Sequence, residues 1–145
     1  MKLSTRARYG LKAMLDLALC YGNAGCQSIS VLAQQQGISE AYLEQIIAAL
    51  RRAGYVTASR GAQGGYILSR GPAQISVYDI FSVLEDTTLV DCVSAKQVDC
   101  QNACTCAARP LWLKLQNRID DVLKKTTLQD LVDDYTIQME RSKHE

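Results

Sequence analysis

Four cysteines fall within fifteen residues, in the pattern Cys92-x7-Cys100-x3-Cys104-x-Cys106. Thiolates bind soft and borderline metals, and a flexible loop can wrap three or four of them around one centre. The spacing is not the tandem Cys-x2-Cys of a zinc ribbon, and it is unlike the ferredoxin runs. A loose loop near solvent suits a labile metal centre that acts as a sensor; the competing reading is a set of free, redox-active thiols. Cys20 and Cys26 stand apart from this group, and both are expected to serve as small buried hydrophobes. The chain shows no apolar run of transmembrane length and no secretory h-region, so a cytosolic location is expected. In that compartment six cysteines point to metal or redox chemistry rather than a disulfide framework.

A second set of residues could read DNA. Within Ser30 to Leu68, Ser30 is placed to cap a short helix and Gly37 to stop it in the left-handed conformation. Ser39 then caps a second helix, with Glu40 at its positive end. Leu43, Ile46, Ile47 and Leu50 recur at i, i+3, i+4, i+7 and make one apolar stripe. Two helices about a tight glycine turn form a helix-turn-helix. The second helix of that motif lies in the major groove with its N-terminal part at the base edges. Glu40, Tyr42, Glu44 and Gln45 occupy that part; a glutamate can accept from cytosine N4 and a glutamine can pair with adenine. Gly54 ends the helix, and Tyr55 to Arg60 and Gly65 to Ser69 are β-prone segments about a glycine-rich turn. That hairpin is a wing with Arg60 near its tip, suited to a narrow, electronegative minor groove. Candidate DNA contacts are therefore Arg8, Ser39, Glu40, Tyr42, Glu44, Gln45, Arg51, Arg60 and Gln63.

Charge is distributed to match. The net charge of the 145 residues is only +1. Residues 1–70 hold eight Lys/Arg against three Asp/Glu, and residues 71–145 hold eight against twelve, so the halves carry +5 and −4. The basic half contains the helix-turn-helix, as phosphate contact requires, and the acidic half should face away from DNA. An enzyme would need paired acid and base groups, and the single histidine, His144, stands in the tail.

The elements that must position these groups are mainly helical. Met1 to Tyr21 reads as a first helix with Leu11, Met14, Leu15 and Ala18 on its inner side. Ser76 opens another, with Asp79 as its capping-box partner and Val77, Ile80, Phe81 and Leu84 buried. Residues 87–108 have no helical or strand period. Arg109 to Lys125 is a long amphipathic helix with Pro110 in its first turn. Trp112, Leu115, Ile119, Val122 and Leu123 share its apolar face, and a partner subunit is the natural cover for that face. Thr127 and Asp130 cap a short helix through Tyr135, and Glu140 to Glu145 are expected to fray. The expected architecture is mainly α with a small β-hairpin. A winged helix-turn-helix domain (1–86) leads to a cysteine-rich loop (87–108), then a dimerisation helix and tail (109–145).

The segments MKLSTRARYGLKAMLDLA, GISEAYLEQIIAALRRAGYV, SRGAQGGYIL and CAARPLW resemble the winged-helix regulator family of IscR, NsrR and CymR over nearly the whole chain. The resemblance implies a homodimer joined by the long helix, an inverted-repeat operator, and regulation of iron–sulfur assembly, nitric-oxide response or cysteine metabolism. It also implies Glu44 as a base reader and Arg60 as a minor-groove contact. Many members hold an iron–sulfur cluster, here expected as [2Fe–2S], through three cysteines before the long helix. Cys92, Cys100 and Cys106 match them by position relative to Arg109-Pro-Leu-Trp112, and Cys104 is additional. IscR-like members add a histidine where this chain has Arg109; NsrR-like members use a partner-chain aspartate where it has Arg8. Neither arginine can ligate, which leaves Cys104 or an outside ligand for the fourth position. CymR-like members lack the cluster and work with a partner enzyme.

Overall fold

The computed structural model describes residues 2–22, 27–60, 64–90, 93 and 106–145. Among them are α1 (Thr5–Leu19), α2 (Ile29–Gln36), α3 (Glu40–Arg52), β1 (Val56–Ser59), β2 (Gly65–Leu68), a 3-10 turn (Pro72–Gln74), α4 (Val77–Leu84), α5 (Arg109–Lys125) and α6 (Leu128–Ser142). The two strands pair antiparallel, with Val56 opposite Leu68 and Ser59 opposite Gly65.

The helix starts follow side-chain capping. Ser4, Ser39, Ser76 and Thr127 each accept a backbone N–H of the first turn, and Ser76–Asp79 and Thr127–Asp130 are full capping boxes. Helix α2 departs from expectation: Ser28, not Ser30, is its cap, with Oγ accepting from the Val31 N–H at 3.3 Å. The reason is tertiary. Gln27 forms an isolated antiparallel bridge with Tyr66: its N–H donates to the Tyr66 carbonyl at 3.1 Å, and its carbonyl accepts from the Tyr66 N–H at 2.8 Å. That bridge holds the chain extended up to Ser28, so the helix begins directly after it. A Cβ at Gly65 would run into the Gln27 carbonyl, so this approach of wing to α2 needs a glycine there. Gly37 ends α2 at φ 66°, the left-handed conformation expected of it.

One apolar core unites these elements. Met14, Leu32, Leu43, Ile46, Ile47, Leu50, Ile75, Ile80 and Leu128 are its large, fully buried side chains. The stripe expected on α3 is buried throughout. On α1 the inward face is rotated from the expected one. Ala7, Gly10, Ala13, Met14, Leu17 and Ala18 are buried, whereas Leu11 and Leu15 are only half-buried. The cause is close packing with α4: a Cβ at Gly10 would collide with the Leu84 side chain, so small residues face inward. Cys20 is half-buried rather than a core hydrophobe, and its sulfur accepts from Gln27 Nε2 at 2.8 Å.

The chain after α5 returns to this core. The Val77 N–H donates to the Thr126 carbonyl and the Leu128 N–H to the Ile75 carbonyl, both at 2.9 Å, so the starts of α4 and α6 are stitched by a short β-bridge. Helix α6 then lies against α1 and the 3-10 turn. It continues to Ser142, past both the expected end at Tyr135 and the expected fraying from Glu140. Nothing between these residues breaks a helix, and Leu128, Leu131, Val132, Tyr135 and Met139 keep one stripe in register.

Candidate nucleic-acid interface and sensor segment

Helix α3 separates two faces. Its stripe is buried, while Glu40, Glu44, Gln45 and Arg51 are exposed on the opposite side. Ala41, Ala48 and Arg52 complete that exposed face and were not picked out from sequence; a helical wheel read outward from the stripe finds them. Ala48 puts a small side chain midway along this face. Ser39 is exposed, its oxygen accepting the Tyr42 N–H at 3.1 Å.

Tyr42, expected at the base edges, is set apart from this face. It is half-buried, with its ring edge-on to Tyr9 of α1 at 6.2 Å between centroids and 87° between planes. Such a pair contributes about 0.5–1.5 kcal/mol beyond its area, so Tyr42 also helps to fix α3 on α1. Arg8 is exposed on α1, as are Arg6 and Lys12, and Lys12 Nζ stands 5.5 Å from the Tyr9 ring. Arg60 is exposed immediately beyond β1; Gln63, in the wing turn, lies outside the described residues. At the wing's base the Arg70 guanidinium stacks over Tyr55 at 5.2 Å. This arginine, just past the end of the wing, is a structural tie.

The cysteine segment is held at both ends by the same helix. At its entrance, the Leu89 N–H donates to Gln116 Oε1 at 2.6 Å, and Gln116 Nε2 donates to the Thr87 carbonyl at 3.1 Å and to Asp120 Oδ1 at 2.9 Å. At its exit, the Cys106 carbonyl accepts from the Arg109 N–H at 3.2 Å, one turn before the body of α5. Cys106 is half-buried with a free thiol, and Arg109 Nε, three residues on, is buried without a hydrogen-bond partner. Cys26, Cys92, Cys100 and Cys104 lie outside the described residues. Among the described residues, no three His, Cys, Asp or Glu converge on a common point.

The expected apolar face of α5 divides in two. Leu123 and Ile119 are half-buried and, with Phe81 and Leu3, line a cavity of about 140 Å³ between α5 and the end of α4. Trp112 is also half-buried. Leu111, Leu115 and Val122 are 51%, 39% and 64% exposed. At 100° per residue these three share one stripe, which the protomer leaves uncovered.

A helix-turn-helix with a polar exposed second helix and an adjoining two-stranded wing defines a winged-helix DNA-binding protein. Residues 3–134 match the model of the Rrf2 family, described as iron-dependent transcriptional regulators, and the chain belongs to that family. It is 40% identical to the transcriptional regulator CymR of Bacillus subtilis over 132 residues, covering 90% of this chain and 89% of the relative. It is 36% identical to the regulator IscR of Pectobacterium atrosepticum, covering 91% and 79%. Solved structures agree. That of B. subtilis CymR superposes with a TM-score of 0.76 at 40% identity, covering 92% of this chain and 97% of that one. That of T. potens IscR gives 0.76 at 42% identity, covering 93% and 88%. The chain is thus a transcriptional regulator rather than an enzyme, and no helix among its described residues is long and apolar enough to cross a membrane.

Proposed function

We propose that this regulator acts as a cytoplasmic homodimer. In this reading it binds an inverted-repeat operator and senses iron–sulfur or redox status through a cluster held by Cys92, Cys100 and Cys106, with Cys104 as fourth ligand. The observation that carries it is the tethering of the cysteine segment to α5 at both ends, through Gln116 and through Cys106–Arg109. Anything that gathers the four thiolates must act on a loop whose ends are both fastened to α5.

The donor set fits the group. Four thiolates complete a cluster's outer coordination. Arg109 cannot ligate, but its buried Nε–H has no acceptor, and an anionic thiolate-bound cluster beside Cys106 would supply one. When bound, the cluster supplies a redox-active, oxygen-labile centre, [2Fe–2S] in this proposal. The protein residues do the rest. Gln116 holds residues 87–89, Cys106 leads into α5, and Leu111, Leu115 and Val122 offer α5 to a second copy. Two α5 helices packed on one another set the separation of two α3 helices, so a change delivered to α5 alters operator fit. Glu44 and Gln45 read base edges, Arg60 enters the minor groove, and Arg8 and Arg51 contact phosphate.

The comparable similarity to CymR supports a second reading, a cluster-free regulator that senses through its thiols or a protein partner. Anaerobic purification with iron and sulfide assay decides between them. The cluster reading expects stoichiometric iron, lost in Cys92→Ala, Cys100→Ala and Cys106→Ala. Full retention in Cys104→Ala removes only that residue from the site; a wild-type chain without iron or sulfide leaves the thiol reading.

A further inference from the structure

A cavity of about 480 Å³ opens between α1, α2 and α6, within the range of small-molecule sites. None of its described lining residues belongs to the exposed face of α3 or to the cysteine segment. Its polar groups are incompletely satisfied by one another. Gln36 Nε2 donates to Asp16 Oδ2 at a long 3.3 Å, while Gln36 Oε1 is buried without any partner. Reversing the amide would turn its oxygen onto the Asp16 carboxylate, so the orientation is dictated by Asp16. The half-buried Asp16 carboxylate, which holds this one long hydrogen bond among the described residues, keeps acceptor capacity for a cationic donor.

The rest of the lining is complementary. Lys12, one helical turn before Asp16, supplies a cation at the rim. Gln27 carries a second amide N–H besides the one that donates to Cys20 Sγ. Leu15 and Leu19 add an apolar wall. We infer that this cavity is a binding site for a small α-amino acid. Its ammonium is taken by Asp16, its carboxylate by Lys12 and Gln27, and its side chain rests on Leu15 and Leu19. The cavity joins the first helix of the helix-turn-helix to α1 and α6, so an occupant bridges the DNA-binding elements and the C-terminal helix.

The test uses the full-length reduced chain. Thermal unfolding is followed with each of the twenty standard amino acids at millimolar concentration, and those that raise Tm are titrated by calorimetry. The expected result is saturable binding of at least one amino acid and none of its decarboxylated or des-amino analogue. Binding should weaken at least about tenfold in Asp16→Asn and in Lys12→Ala, the order expected for a charge-assisted hydrogen bond, and persist in Arg60→Ala. Lys12 is exposed, so its variant tests the site independently of the change in stability expected at Asp16. No binding by any amino acid, equal binding of the des-amino analogue, or undiminished binding in the folded variants overturns the inference. Because the site shares no residue with the cysteine segment, iron content is unaffected by either result.

Discussion

Leu89 and Gln116 are joined across 27 residues of sequence: the Leu89 N–H donates to Gln116 Oε1 at 2.6 Å. The same side chain donates to the Thr87 carbonyl, so one glutamine on α5 holds the backbone that enters the cysteine segment as a neighbouring strand would. Removing it should free that backbone without touching the core. Gln116→Ala is expected to cost about 1–3 kcal/mol, the net worth of two hydrogen bonds to backbone groups, measured by urea unfolding. The amide of Leu89 should lose its protection in hydrogen exchange, while Gln116→Glu, which keeps the acceptor but not the donor, should retain part of it. Unchanged exchange at Leu89 in Gln116→Ala would show that the clamp does not hold the segment.

The wing prediction concerns Arg60, exposed beyond β1. Arg60→Ala should weaken operator binding by about 1–3 kcal/mol, whereas Arg51→Ala should weaken it across sequences and lower the salt slope by about one. Titrations against an operator fragment at several salt concentrations separate the two; equal salt slopes for all three proteins would refute the assignment.

For the dimer, Val122 is a sharper probe than Ile119. Val122 is 64% exposed in the protomer, so Val122→Glu should leave the fold intact and break self-association. Ile119 lines the cavity against Phe81, and Ile119→Glu would also bury a charge within the protomer, at a cost of several kcal/mol. Sedimentation at micromolar concentration is expected to show a wild-type dimer and a folded Val122→Glu monomer. A monomeric wild type would refute the interface.

Asp16 makes stability depend on pH. Burial holds its carboxyl above the ordinary value of 3.8, against the opposing effects of the Gln36 hydrogen bond and the Lys12 charge. The folded state therefore binds this proton more tightly than the unfolded chain does. Stability from the protonated group is present below the unfolded value and lost as pH rises through the folded one. Asp16→Asn should accordingly raise Tm at neutral pH, and the gain should fade as the pH falls toward about 4. A gain that grows on acidification would contradict this sign.

The sequence alone determined the winged helix-turn-helix. Its signals are local: Ser39 and Gly37 as cap and stop, the Leu43–Leu50 stripe, and the β-prone runs about a glycine turn each act within a few residues. Capping boxes at Ser76 and Thr127 and the limits of α5 were legible for the same reason. Tertiary structure decided what depends on distant partners. The Gln27–Tyr66 bridge moved the start of α2 to Ser28. The close approach of Leu84 to Gly10 turned α1 by one position. The edge-on Tyr9 ring settled how Tyr42 packs against α1. Apolar periodicity in α5 told that one side avoids water, but not how the protomer divides that side. Ile119 and Leu123 face a cavity near α4, while Leu111, Leu115 and Val122 stay open. The hold of Gln116 on residues 87 and 89 had no sequence signal, because a hydrogen bond to backbone atoms requires no particular side chain from the residues that receive it.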